Sequence, residues 1–281
     1  SGEVDPAELD VMTASGFTIG DGTLRIGGDL GRLEEARRES GSLAAYFELH
    51  IEQGFVLDRG GIDIGVVEGI VGIKRWNVSV EGFANHAGTT PMDLRHDPGY
   101  VAAAIATHVR QLAVRMGGRQ VATVGRLELH PNLVNVVAAT ATLTVDLRNT
   151  DEALLCEAEA DLAGFVVATA TAEGVSVAER TLARFQPVVF DDRVVDTVAA
   201  VAADLGHSVR RLPSGAGHDA QMMSRLCPTG MVFVPSRDGI SHNPTEFTEP
   251  EDLAAGGDVL LRTMLALDSM DLAEQGTGGR S

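Results

Sequence analysis

Between Ile73 and Arg184 the spacing of apolar residues changes from a period of two to a period of about 3.6 and back, twice over. From Ile73 to Gly82, Trp76, Val78 and Val80 alternate with Asn77, Ser79 and Glu81, which predicts a strand with one apolar face. Asp97 then offers a cap to a helix with Pro98 in its first position. Val101, Ile105, Val109, Leu112 and Met116 form the apolar stripe of that helix, and Gly117-Gly118 closes it. Two strand-like runs follow, Gln120 to Leu129 and Val134 to Leu147, joined by His130-Pro131-Asn132. A second helix is predicted from about Asp151 to Ala172 through Leu155, Ala158, Leu162, Phe165 and Val166, with Gly174 at its end. Val175 to Arg184 reads as a last strand.

That order is the split ferredoxin-like α+β plan, and a block of about 110 residues can fold on its own. The flanking sequence has a different rhythm. Ala45 to Ile51 alternates as a strand, with Phe47, Leu49 and Ile51 on one face and Tyr46, Glu48 and His50 on the other. After the block come a helix from Asp192 to Gly206, a short strand from Ser208 to Leu212 and a helix ending near Arg225. The apolar strand Met231 to Pro235 follows, and then a last helix opened by Pro250 and striped by Leu253, Leu260, Met264 and Leu267. Alternating strands and helices predict an α/β sheet domain. The expected division is residues 1–72 and 186–281 for that domain, with residues 73–185 inserted. Gly276 to Ser281 is expected to be a disordered tail.

A formal charge of −18 argues against nucleic acid or an anionic membrane as partner. No apolar run approaches the roughly 20 residues needed to span a bilayer. Cys156 and Cys227 stand alone, which suits a reducing cytoplasm and small buried apolar groups better than a disulfide.

Three polar segments carry the chemistry: Glu48-Leu49-His50-Ile51-Glu52-Gln53-Gly54, Asn85-His86-Ala87-Gly88-Thr89-Thr90-Pro91 and Ser241-His242-Asn243-Pro244-Thr245-Glu246. His50 falls near the C-terminal end of a strand, where open α/β sheets place their ligands. A histidine there is also often only hydrogen-bonded, and no local spacing links His50 to His242. His86 lies among small residues that let a ligand approach, and it can donate to a developing oxyanion; an exposed loop histidine is the plainer reading. The planar fork of Arg148 suits a carboxylate, although a surface ion pair is the plainer reading of the residue by itself.

Together these segments closely resemble the amidase, hydantoinase and carbamoylase group, which comprises N-carbamoyl-L-amino acid hydrolases, allantoate amidohydrolases and beta-ureidopropionases. The group belongs with the two-metal aminoacylases and carboxypeptidases, and the resemblance runs from about Ser1 to Leu267. It implies a phosphorylase/hydrolase-like α/β catalytic domain with an inserted ferredoxin-like lid and dimerisation domain. It further implies two divalent ions (zinc, manganese or cobalt), with His50 binding one and His242 the other. His86 would polarise the amide carbonyl in the neighbouring subunit of a homodimer. Asn135 and Arg148 would hold the substrate's carboxylate, Gln53 would lie near the ureido group, and Gly215, Ala216 and Gly217 would form a backbone loop at the substrate. The reaction implied is cleavage of the carbamoyl C–N bond of an N-carbamoyl-L-amino acid or related ureido acid, with allantoate as the alternative substrate.

The superfamily's His-x-Asp pair, bridging Asp and Glu-Glu pair are not found. Glu34-Glu35 reads as a solvated helix face, and His218-x-Ala220 lacks the Asp. The chain therefore resembles the C-terminal two-thirds of a member, with the catalytic domain incomplete at its N-terminus. The reading from a different class is a catalytically inactive fragment or pseudoenzyme that serves only for dimerisation. Two positions depart from the pattern, Phe55 and Ala138, where relatives carry Pro.

Overall fold

A computed structural model describes residues 6–13, 15–270 and 272; the expected tail lies outside the described residues. The elements run α1 (Pro6–Leu9), α2 (Ile19–Arg25), β1 (Tyr46–Ile51), α3 (Val56–Gly60), β2 (Ile64–Ile70), β3 (Gly72–Glu81), β4 (Asn85–His86) and α4 (Pro98–Met116). They continue with β5 (Val121–His130), β6 (Val136–Val137), β7 (Thr140–Asn149), α5 (Glu152–Glu173), β8 (Ser176–Phe185) and β9 (Val188–Val189). The last five are α6 (Asp192–Asp204), β10 (Val209–Ser214), α7 (Asp219–Met223), β11 (Thr229–Val234) and α8 (Pro250–Asp268). The architecture is mixed α/β, and no helix among the described residues is long and apolar enough to cross a membrane. By contact density the chain divides into two compact units. One comprises the described residues up to Glu68 with Phe190–Leu212 and those from His218 on; the other comprises Gly69–Val189 and Pro213–Gly217.

In the first unit the sheet order is β1-β11-β2-β10. β11 is buried along its whole length, as a central strand of an α/β sheet should be. β1 runs parallel to it, with His50 opposite Phe233. α8 buries Leu267 of its predicted stripe, but the rest of its inward face is offset from the one the large apolar residues predict. Gly256, Val259, Thr263 and Leu267 are buried, whereas Leu253 and Met264 are about half exposed, at 48% and 50%. The reason is the close approach of the sheet. A Cβ on Gly256 would lie 2.6 Å from both Leu49 Cδ1 and Val234 Cγ1. Gly256→Ala is therefore expected to destabilise this unit by about 1 to 3 kcal/mol through overpacking, read as a lower denaturation midpoint at unchanged slope.

The second unit holds an antiparallel sheet in the order β5-β7-β3-β8. β7 alternates strictly between buried and half-buried residues, and its inward set, Ala141, Leu143, Val145 and Leu147, packs with Trp76, Val78 and Val80 of β3. Val101, Ile105, Val109 and Leu112 of α4 and Leu155, Ala158, Leu162 and Val166 of α5 close over that face. Local signals set the helix ends. The Asp97 side chain accepts from the Gly99 and Tyr100 amides, the Asp151 side chain accepts from Leu154, and Gly174 adopts the left-handed conformation after α5.

Two further expectations change. The run Val134 to Leu147 is two strands, because Val136 and Val137 pair with His86 and Asn85 of β4 while β7 pairs with β3 and β5. Cys156 is exposed. Its thiol lies 3.6 Å from both Glu152 Oε1 and Arg184 Nη2, outside the stripe that α5 buries. Cys227 is buried as expected.

Candidate active site

In the first unit the alternation of β1 sets Glu48 and His50 on one face, and His218, the residue before α7, meets them there. One ligating atom from each of the three lies within 4.8 Å of the others. The His50 and His218 rings meet edge to face with centroids 4.6 Å apart, and Phe233 of β11 packs against both.

The hydrogen bonds decide which ring nitrogens are basic. His50 Nδ1 lies 2.8 Å from the Ile51 carbonyl oxygen, which can only accept, so Nδ1 carries the proton and the lone pair stays on Nε2. His218 Nδ1 lies 3.3 Å from Glu48 Oε1, and the His218 side chain is 3% exposed. Burial alone would raise the Glu48 carboxyl. Donors from His218, the Ala220 amide at 3.0 Å and the Tyr46 hydroxyl at 3.3 Å outweigh it and hold Glu48 below the usual carboxylate range. An ionised Glu48 makes His218 Nδ1 the donor, leaving that ring's lone pair on Nε2 as well. Burial, and then the Glu48 charge, push the Tyr46 hydroxyl up to about 12. Two imidazoles with basic Nε2 atoms, one steered by a carbonyl and one by a carboxylate, are the donor set that a borderline divalent ion takes.

The residues after β1 are fixed by the same economy of contacts. Glu52 accepts from the Val56 and Leu57 amides at 2.9 and 2.7 Å, so it caps the first turn of α3. Gln53 sits at φ 58, in the left-handed region, and its N–H donates to Ser236 Oγ at 3.1 Å. His242 is likewise left-handed, at φ 55, and exposed; its N–H donates to Glu246 Oε2 at 3.1 Å. Glu246 thus steadies the loop. Among the described residues, the group able to hold an ion contains His50 but not His242.

In the second unit the β4–β6 pairing brings two predicted residues together. The Ala87 amide donates to the Asn135 carbonyl at 2.9 Å, directly beside His86. The Arg148 fork grips Asp146 through Nε and Nη2 at 2.8 and 3.0 Å, and its Nη1 donates to the Gly215 carbonyl at 2.6 Å. Arg75 holds the same Asp146 through Nε and Nη2 at 2.8 and 2.6 Å. Burial would raise the Asp146 carboxyl, yet the two guanidinium groups hold it low. Ser214 Oγ accepts from the Ala216 amide at 3.1 Å, so Gly215 and Ala216 form a tethered turn. A guanidinium has five N–H donors, so part of the Arg148 fork is left for a further acceptor.

Sequence reasoning passed over Glu48 and His218 as ligand candidates. The strand period already set Glu48 beside His50, but nothing local announces that residues 48 and 218 meet.

A family model described as peptidase family M20/M25/M40 matches residues 21–266. The chain is 36% identical over 267 residues to an N-carbamoyl-L-amino acid amidohydrolase of Geobacillus stearothermophilus, covering 95% of this chain and 65% of that protein. It is 39% identical to an allantoate amidohydrolase of Escherichia coli strain K12, covering 88% of this chain and 57% of that protein. A solved amidase of the hydantoinase/carbamoylase family from Burkholderia multivorans superimposes with a TM-score of 0.80 at 38% identity, covering 92% of this chain and 62% of that one. The chain thus spans less than two-thirds of the length of these relatives.

Proposed function

The chain belongs to peptidase family M20/M25/M40, and from that membership we propose that it forms part of a metal-dependent amidohydrolase that cleaves the carbamoyl C–N bond of N-carbamoyl-L-amino acids or related ureido acids. The observation that carries this reading is the Glu48, His50 and His218 cluster at the end of β1. His50 and His218 would hold an ion through Nε2, with Glu48 orienting His218. The second ion is assigned to His242, supported by its motif and by a left-handed backbone that Glu246 braces. A divalent ion held there, zinc, manganese or cobalt, would supply Lewis acidity to activate water and polarise the carbonyl. Arg148 and Asn135 would receive the substrate's carboxylate, Gln53 and the turn at Gly215, Ala216 and Gly217 the rest of it, and His86 the carbonyl oxygen. Allantoate, an acid bearing ureido groups, is the alternative substrate, supported by the 39% identity to an allantoate amidohydrolase.

Residues 73–185 are proposed as a ferredoxin-like lid and dimerisation domain, inserted into a catalytic domain made of residues 1–72 and 186–281. The β5-β7-β3-β8 order supports this reading. A cytoplasmic homodimer is the assembly proposed, with His86 serving the neighbouring subunit.

The metal reading is tested on the chain itself by titration with cobalt(II) after dialysis, followed by absorption and calorimetry. About one ion per chain is expected to bind tightly, since the charge of a second would be poorly compensated by the acceptors present. His50→Ala and His218→Ala should each abolish the visible band. Undiminished binding in both variants would remove the cluster as the metal site. Metal-dependent ammonia release from N-carbamoyl amino acids, by a polypeptide of the relatives' length, tests the reaction.

A further inference from the structure

The loop after β4 turns back on its own histidine. The Gly88 N–H lies 3.0 Å from His86 Nδ1. A backbone amide can only donate, so Nδ1 is the acceptor and the neutral ring carries its proton on Nε2. Other bonds hold the loop in this shape without using the ring. The Thr90 N–H and hydroxyl both donate to the His86 carbonyl, at 3.1 and 2.7 Å. Arg95 donates from Nη2 to the Ala87 carbonyl at 2.6 Å and from Nε to the Thr90 carbonyl at 3.2 Å. Glycine at position 88 is part of the device. A Cβ there would sit 3.3 Å from His86 Cε1, close enough to push the ring away from the amide.

We propose that Gly88 and Arg95 are positioning residues that fix His86 as an Nε2–H donor before substrate arrives. The proposal rests on the reading of His86 as the group that meets the substrate's carbonyl oxygen. An imidazole with no internal partner exchanges its proton between two nitrogens and must settle when the oxyanion forms. With Nδ1 committed to the loop's own amide, the one nitrogen left for a ligand carries the hydrogen that an oxyanion accepts, and no reorganisation is required at the moment of reaction. Arg95 acts at one remove, through the loop carbonyls that aim the Gly88 amide.

The test is nitrogen-15 NMR of the chain labelled at histidine and glycine, without substrate. The expected spectrum shows His86 with an unprotonated Nδ1, a protonated Nε2 and a through-hydrogen-bond coupling between Nδ1 and the Gly88 nitrogen. Gly88→Pro removes the donor, and Arg95→Met releases the loop. Each should abolish the coupling and move the two ring shifts toward averaged values, while the amide spectrum of α4 and α5 stays in place. A protonated Nδ1 in the unmodified chain overturns the proposal, as does a ring that keeps its fixed tautomer in both variants. The oxyanion reading of His86 is tested separately by turnover of His86→Ala, so a failure of the fixed tautomer and a failure of that reading are told apart.

Discussion

His86→Ala, made in a polypeptide spanning the length of the relatives, is expected to lower turnover about a hundredfold or more, the usual consequence of deleting one oxyanion donor. The Michaelis constant should move much less, because the proposed bond to the carbonyl oxygen would strengthen as charge develops there and contribute little to the bound substrate. The same substitution probes the assembly. When His86 serves the neighbouring subunit, a His86→Ala chain keeps an intact metal cluster and a His50→Ala chain keeps an intact donor. A mixed dimer then contains one complete site. Random mixing makes half of the dimers mixed with half of their sites complete, so about a quarter of the unmodified activity should return. A mixture as inactive as its parents would place His86 in its own subunit's site or remove it from the reaction.

Arg148→Lys in the same polypeptide is expected to raise the Michaelis constant for N-carbamoyl amino acids about ten- to a hundredfold, the equivalent of one charge-assisted hydrogen bond at roughly 1.5 to 3 kcal/mol. A lysine keeps the charge, but it cannot grip Asp146, tether the Gly215 carbonyl and meet a carboxylate at once, as the guanidinium contacts allow. A substrate analogue with an amide in place of the carboxylate should be poor with both proteins. Equal kinetics for acid and amide in the unmodified enzyme would leave Arg148 as a structural tie between Asp146 and the Gly215 turn. Asn135→Ala should act in the same direction and more weakly, since it offers a neutral donor.

Features built from neighbouring residues were legible in the sequence. Asp97, Pro98 and Gly117 mark both ends of α4, and the stripe from Val101 to Leu112 is the face it buries. The parity of β1, β3 and β7 could be read from alternation, because side chains on a strand change face at every residue. What escaped was decided by contacts distant in sequence. The buried face of α8 turns on Gly256 and Thr263, small residues that a hydrophobic count ignores and that the approach of Leu49 and Val234 selects. Glu48 could be placed beside His50, but its role depends on the Ala220 amide and His218, which lie beyond the whole second unit in the chain. The break at Ala138 and Ala139 was invisible because Val136 and Val137 look like any strand; only their pairing with Asn85 and His86 separates them from β7.

Gln53 and His242 both hold backbone angles that side-chain-bearing residues avoid, at φ 58 and 55, and such a residue costs of order 1 kcal/mol or more. Glycine would relax either position and delete the group proposed to meet ureido or metal. Directed evolution that rewards only heat resistance would thus drift toward replacements here that survive the screen and abandon the chemistry. Durability and usefulness pull in opposite directions at these two positions, and a library meant to toughen this protein should keep both residues unchanged.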